Sequence, residues 1–469
     1  MSTTESKTGT LSPEIKDLLN LLISSGQLEP YMNPSAQAEK SLDEMLGKNM
    51  NGTYKSSNQN YQLIMKHNDL LKESVRFNEL KGQMDVVKDM PWKRFEIAFS
   101  QNDLDNIITQ IEIQYGINNE KMIERAIRVI SKENSYHPIR DELNSLVWDG
   151  ENRLSHVLTK YLGVEATPLT IECLKVFMLG AISRVFTPGC KFEYMLCLVG
   201  GQGAGKSTFL RFLAMEDQWF TDDIRELNAK DIFERLNGHW ILEIPEMLAV
   251  LQAKSVEETK SFISRLSDNY RIPYDKFAAD HARQSVFAGT SNRIAFLPPD
   301  KSGNRRFLPI EVNTENAELH ILENPTEARA YFRQLWAEVM EIYRTGDFKL
   351  TLDADMENEL RMAQKKYMPE DPMETDIVNF IERKHPKYVC TKMLFIEALG
   401  HTPLETMETW QSNAIGEIMN QCFKKEYKKL SSHKFETYGV QRAWVSLAPS
   451  SEEGFIPVPP ELEPELPFE

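Results

Sequence analysis

Apolar positions along this chain follow two periods. Leu154, Val157, Leu158, Tyr161 and Leu162 keep the i, i+3, i+4, i+7, i+8 spacing of one helix face, and Gly163 closes the run. Thr167-Pro168 then reads as a cap and first-turn proline, opening a helix with Leu174, Phe177, Met178, Ala181, Ile182 and Val185 on one side. Short apolar runs at 194–199, 240–244, 285–289 and 307–312 predict four buried strands, because each is short and bounded by turn residues. Leu335, Trp336, Val339, Ile342 and Tyr343 mark a long helix over 325–345, and 353–369 reads as a charged helical connector. The pattern predicts an α/β chain with a parallel sheet at its centre.

The flanks differ. Ser12-Pro13 starts a short helix carried by Leu18, Leu19, Leu22 and Ile23, and 31–60 is polar, a loose linker with a helix near 36–46. Residues 61–150 predict a small α-rich or α+β module that ends in an amphipathic helix and turn at 139–148. Beyond the connector, helices marked by Ile377, Met393 and Ile415 precede a β-turn and strand at 438–444, with Lys424, Lys425, Lys428 and Lys429 crowding the end of the third helix. Three helices and a β-wing outline a winged helix-turn-helix that would contact DNA through Lys424, Lys425 and Lys428. The expected organisation is a helix and linker (1–60), an N-terminal α-rich domain (61–150), a P-loop core with its preceding helices (151–350), a connector (351–371), the winged-helix-like unit (372–447) and an acidic, disordered segment (448–469).

Chemistry enters at the end of the first predicted strand. Gly200, Gly201, Gln202, Gly203, Ala204, Gly205, Lys206, Ser207 and Thr208 match the phosphate-loop pattern G-x-x-x-x-G-K-[ST], with a strand before and a helix after. Glycines let backbone N–H groups turn inward around phosphate oxygens, and the following helix aims its positive end at the same anion. Lys206 would reach the β- and γ-phosphates of ATP, and the Ser207 hydroxyl would hold Mg²⁺. The second strand carries Glu243 inside it and Glu246 just beyond. A carboxylate in an apolar strand is expensive without a partner, and beside a phosphate loop the partner is the metal and its water. We take Glu243 as the metal-side group and Glu246 as the base, an assignment that leaves the two interchangeable. Asn292, at the tip of the third strand, suits the γ-phosphate or the attacking water. Arg305 and Arg306 precede the fourth strand, where either would serve as a finger on a neighbouring subunit's phosphate. Between the acids and Asn292, residues 269–284 read as a hairpin with basic tips, in which Arg271, Tyr274, Lys276 and Arg283 suit a nucleic-acid backbone with base stacking.

Composition narrows the class. A formal charge of −16 argues against bulk coating of nucleic acid, and the six glutamates beyond Leu447 account for part of it, so a local basic groove stays open. The five cysteines are scattered without metal-ligand spacing and read as reduced core thiols. The polar first ten residues carry no signal-like apolar stretch, and no apolar run is long enough to span a membrane, so a cytoplasmic location is expected. Paired carboxylates of a primase are not seen upstream.

The order GGQGAGKST, HWILEIPE, NYRIPYDK, FAGTSN, SGNRRF, preceded by HPIRDELNSLVWDG and ISRVFTPGCKFEYMLCLVG, resembles the virulence-associated protein E family of phages and mobile genetic islands. That family stands with the superfamily 3 helicases, an AAA+ branch, and is similar to the helicase half of poxvirus-type primase–helicases. The resemblance spans about 139–312 strongly. It implies a homo-hexameric ring ATPase moving on DNA, single-stranded in the pore, with host replication proteins as further partners. Lys206 and Ser207 would be Walker A, Glu243 and Glu246 Walker B, Asn292 sensor 1, Arg305 or Arg306 the finger, and Arg271 and Lys276 the DNA contacts of a pore hairpin. The acids stand as E-x-x-E here, not side by side. Two other readings are a P-loop ATPase for DNA packaging or protein remodelling, and a DNA-binding protein that uses nucleotide only to order its oligomer.

Overall fold

The computed structural model describes residues 41–224, 232–247, 260–270, 279–297, 304–369 and 371–447. The helix expected after Ser12 lies outside them.

Helix α1 (Leu42–Met45) and α2 (Asn58–His67) open the first layer. A hairpin of β1 (Val75–Asn78) and β2 (Gln83–Val86) follows, then α3 (Gln101–Tyr115) and α4 (Glu120–Glu133). Ile123, Ile127 and Ile130 recur along one face of α4 and pack with Tyr61, Ile64, Ile107 and Ile111. The linker expected to be loose up to residue 60 is not so over 41–60: Leu46 is buried in this core, and the Asn60 side chain bonds Gly47 and Lys55. Helix α5 (Pro138–Ser145) is capped by His137, whose ring accepts the Arg140 N–H. The layer is fixed to the central unit by hydrogen bonds between His137 and Gln284 (2.6 Å) and between Asn237 and the Lys81 carbonyl (2.7 Å).

Helix α6 (Val157–Leu162) begins three residues later than the periodicity predicts. The backbone N–H groups of Arg153 and Leu154 donate to the buried Glu338 carboxylate at 2.7 and 2.9 Å, which holds the chain in a turn before the helix can start. Helix α7 (Pro168–Phe186) has the predicted Thr167 cap and is buried along most of its length.

The central sheet takes β3 (Met195–Val199), β4 (Phe220–Thr221), β5 (Ile241–Ile244), β8 (Val286–Ser291) and β9 (Phe307–Glu311) in the order β4-β5-β8-β3-β9, all parallel. The four predicted strands are present, and the two-residue β4 was too short to announce itself. A parallel sheet is covered on both faces, so its strands read as continuous apolar runs rather than alternating ones. Helix α8 (Lys206–Leu213) follows β3, and α9 (Ile232–Leu236) precedes β5. A separate hairpin, β6 (Ser267–Tyr270) with β7 (Ala279–Ala282), leaves the sheet ahead of β8. Helices α10 (Pro325–Thr345) and α11 (Ala354–Gln364) complete the layer. Its centre is a tilted Trp240–Trp336 pair at 4.4 Å, each indole N–H satisfied by a carbonyl, of Ala181 and of Leu213.

The last unit runs α12 (Pro372–Lys384), β10 (Tyr388–Cys390), α13 (Thr391–Met393) passing into a π-turn at Leu394–Ala398, α14 (Thr409–Cys422), β11 (Tyr427–Phe435) and β12 (Gly439–Ser446). The strands form an antiparallel sheet in the order β10-β12-β11 around Ile377, Phe380, Leu394, Ile415 and Trp444. The lysines expected to crowd the end of the third helix are shared between two stretches. Lys424 and Lys425 lie past its end, and Lys428 is on β11, where Tyr427 is buried and the chain pairs with β12.

Candidate functional site

The site lies where β3, β5 and β8 end, the carboxyl edge at which open parallel sheets hold ligands. Gly200 leaves β3 with its N–H on the Ser291 carbonyl at 3.0 Å. Gly203 and Gly205 take φ of +79° and +74°, the left-handed region that favours glycine, and Gly205 caps α8. Gly200 is small for another reason: a Cβ there would stand 2.6 Å from the Val312 carbonyl oxygen. At Gly201 an added Cβ meets nothing within 4 Å. Gly200→Ala should therefore lower stability by about 1–3 kcal/mol while Gly201→Ala stays near wild type. Urea unfolding of the two variants measures the difference.

Lys206 opens α8 almost buried. Its ammonium donates to the carbonyls of Gly200 and Gly201, both at 2.7 Å, and to Asn292 Oδ1 at 2.9 Å. Burial holds its pKa below the ordinary lysine value, with the nearby Glu246 and Glu243 charges opposing the shift. One residue on, Ser207 Oγ donates to Glu243 Oε1 at 2.7 Å. Glu243 is 1% exposed, and burial raises its pKa against the two hydroxyl bonds that favour its anion. The second hydroxyl is Thr290's, at 2.6 Å from the same oxygen. The other oxygen, Oε2, is buried with no hydrogen-bond partner among the described residues. Glu246 is exposed at a φ of +44°, a left-handed conformation that costs a non-glycine residue roughly 1 kcal/mol. Asn292 Nδ2 donates to its Oε1.

The fold thus brings together Lys206, Ser207, Glu243, Glu246 and Asn292, and adds Thr290. Thr290 carries no sequence signal of its own. It lies within β8, whose register beside β5 pairs Glu243 with Ala288, two residues away on the same face. The two acids are unlike each other. Glu243 is sealed between hydroxyls, and Glu246 faces outward beside an amide. A hydroxyl and a carboxylate with an unspent oxygen fit Mg²⁺, a hard cation that takes one or two carboxylates and completes its shell with phosphate and water. Among the described residues no group of three or more acidic, histidine or cysteine side chains could cage a metal alone.

The two arginines are kept apart from this cluster. Met195 pairs with Phe307 and Val199 with Glu311, so Arg305 and Arg306 sit at the opposite end of the sheet. At ~3.3 Å per residue that is more than about 13 Å from the loop. Arg306 is 18% exposed and bonds Ser264 Oγ at 3.0 Å, whereas Arg305 is 71% exposed. Glu193 lies 3.9 Å from each. Arg271 and Lys276 lie outside the described residues, as do Ser302 and Gly303. Arg283, expected at a basic tip, is at the hairpin's base instead. It is buried in a bidentate pair with Asp268 at 2.8 Å, because an unpaired guanidinium could not be sealed there.

Residues 143–369 match the model of the virulence-associated protein E-like domain. Among solved structures, the chain is similar to two apo A-form structures of the NrS-1 C-terminal region. One has 14% identity over 79% of this chain and 96% of that one, at a TM-score of 0.43. The other has 12% identity over the same shares, at 0.45. No curated protein matches the sequence.

Proposed function

We propose that this chain, which carries a virulence-associated protein E-like domain, is an ATP-hydrolysing helicase or initiator ATPase for the DNA replication of a phage or mobile element. The carrying observation is the meeting of Lys206, Ser207, Glu243, Glu246 and Asn292 at the ends of three neighbouring parallel strands. The loop N–H groups and the α8 dipole receive the phosphates, and Lys206 trades one of its carbonyl bonds for the β- or γ-oxygens. Mg²⁺, when bound, neutralises charge on those oxygens, and Ser207 and the free oxygen of Glu243 are the groups that would hold it. Thr290 keeps Glu243 aimed. Glu246 accepts the proton of the attacking water while Asn292 fixes its orientation. The γ-phosphorus gains that oxygen and loses its bond to ADP.

The site works in an oligomeric ring. Arg305 cannot reach its own loop and stands exposed, so it serves the adjacent subunit, and Arg306 holds its base through Ser264. Arg305→Ala should leave nucleotide binding intact and lower turnover about 10³-fold, and Arg306→Ala should act mainly on stability. Steady-state ATPase with parallel nucleotide binding distinguishes them; full turnover by Arg305→Ala removes the shared-site reading. The hairpin tip, with Arg271 and Lys276, is the proposed DNA contact of the pore. The order helix, strand, helix, helix, strand, strand supports a winged-helix role for the last unit, with Lys424, Lys425 and Lys428 toward DNA. A solely nucleotide-ordered binding protein would have no use for Glu246 beside Asn292.

A further inference from the structure

Helix α8 turns one face toward the sheet. Ser207 and Arg211 both lie on it, because residues four apart in a helix stand one above the other. Ser207 bonds Glu243 on β5. Arg211 reaches one strand further out, with its guanidinium 5.3 Å over the Phe220 ring and 3.9 Å from Asp222 Oδ2. The sheet register agrees with these contacts. Thr221 pairs with Leu242, so Asp222, the next residue, leaves β4 level with Glu243. Residues level with each other on parallel neighbours point to the same side, as do residues two apart along one strand. Phe220, Asp222, Glu243 and Thr290 therefore share the side that α8 covers.

The two level carboxylates differ in what they have left to bond. Glu243 is sealed in, spends Oε1 on two hydroxyls, and keeps Oε2 buried without a partner among the described residues. Asp222 is half exposed and forms no hydrogen bond among the described residues, and its contact with Arg211 is too long to be one. The pair is near enough to be felt at the buried acid. Burial pushes the Glu243 pKa up and the two hydroxyl bonds oppose it; the Asp222 charge adds to the rise and the Arg211 charge works against it.

We infer that Asp222 is a positioning residue for the magnesium ion of the bound nucleotide, accepting hydrogen bonds from water that the cation carries, with Arg211 as its counter-charge. The inference rests on the nucleotide reading of the site. Mg²⁺ dehydrates reluctantly and keeps several waters beside its carboxylate and phosphate ligands. Those waters need acceptors, and outer partners of this kind orient what the metal holds. Glu243 has one oxygen for the cation and none to spare for its water. Asp222 stands level with it, on the same side of the sheet, with lone pairs free. A purely structural ion pair would make Asp222 and Arg211 equivalent. The positioning role makes them opposite, since one attracts a dication and the other repels it.

The test reads binding and not turnover. A fluorescent, non-hydrolysable ATP analogue is bound to the full chain at increasing Mg²⁺, in wild type, Asp222→Asn, Asp222→Glu and Arg211→Gln, with urea unfolding to show that each variant is folded. Asp222→Asn should raise the Mg²⁺ concentration for half-maximal binding about 10–100-fold and leave binding in EDTA unchanged. Asp222→Glu should recover part of that loss, and Arg211→Gln should leave the Mg²⁺ requirement as it is or lower it. A wild-type Mg²⁺ requirement in Asp222→Asn, or losses of the same size in Asp222→Asn and Arg211→Gln, would overturn the inference. Wild-type nucleotide binding that does not respond to Mg²⁺ would remove the metal reading of the site itself, and this inference with it.

Discussion

Lys206→Ala is expected to lower nucleotide hydrolysis by about 10²–10³-fold or more, since one positioned cation at developing phosphate charge carries that much. The fold should survive. Lys206 is largely buried, but its three acceptors are a pair of loop carbonyls and Asn292, all at the sheet's edge, and none is a core group. Burial already disfavours its charge, so removing it relieves a desolvation cost that offsets the lost hydrogen bonds. The variant should therefore unfold within about 1 kcal/mol of wild type while turnover collapses. Steady-state phosphate release alongside urea denaturation measures both. Unchanged turnover would remove the phosphate-loop role.

The second large effect separates the two glutamates. Glu243→Gln keeps the shape and can still accept from Ser207 and Thr290, and it removes a carboxylate whose ionised form burial opposes. We expect the apo protein to be at least as stable as wild type. Magnesium-dependent nucleotide binding should weaken about tenfold or more, because the oxygen that would face the cation is replaced by an amide NH₂, which donates and cannot ligate a metal. Glu246→Gln should do the reverse. The exposed residue contributes little to the fold, so nucleotide and magnesium affinity should hold while hydrolysis falls by about 10²–10⁴-fold. Titration calorimetry with a non-hydrolysable nucleotide, with and without Mg²⁺, reads the first, and single-turnover hydrolysis reads the second. Equal effects of the two changes on both measurements would mean that they share one role.

Much of this layout was legible in the sequence because local rules decide it. The glycine loop needs φ that only glycine takes freely at 203 and 205, the Thr167-Pro168 cap fixes the start of α7, and a buried parallel strand must be apolar throughout. What was not legible depends on which elements become neighbours. Thr290 gains its role because β8 lies beside β5, and no spacing in one sequence says so. Arg283 has the composition of a tip residue, but Asp268, fifteen positions earlier, draws it into the hairpin base. Lys428 reads as the end of a helix until Tyr427 is buried on a strand. Glu338 delays a helix 185 residues away from it in the chain, through two backbone N–H groups that no periodicity counts. Arg305 and Arg306 likewise differ in exposure, 71% against 18%, and adjacent identical residues carry no such information in sequence.

We propose that hydrolysis at this cleft is coupled to movement on DNA. The most direct measurement is ATP turnover by the purified full chain with and without single-stranded DNA, together with displacement of a labelled strand from a forked duplex. DNA-stimulated turnover and ATP-dependent strand displacement are expected, both lost in Lys206→Ala. Turnover indifferent to DNA, with no strand displaced by a chain that hydrolyses ATP, would contradict it.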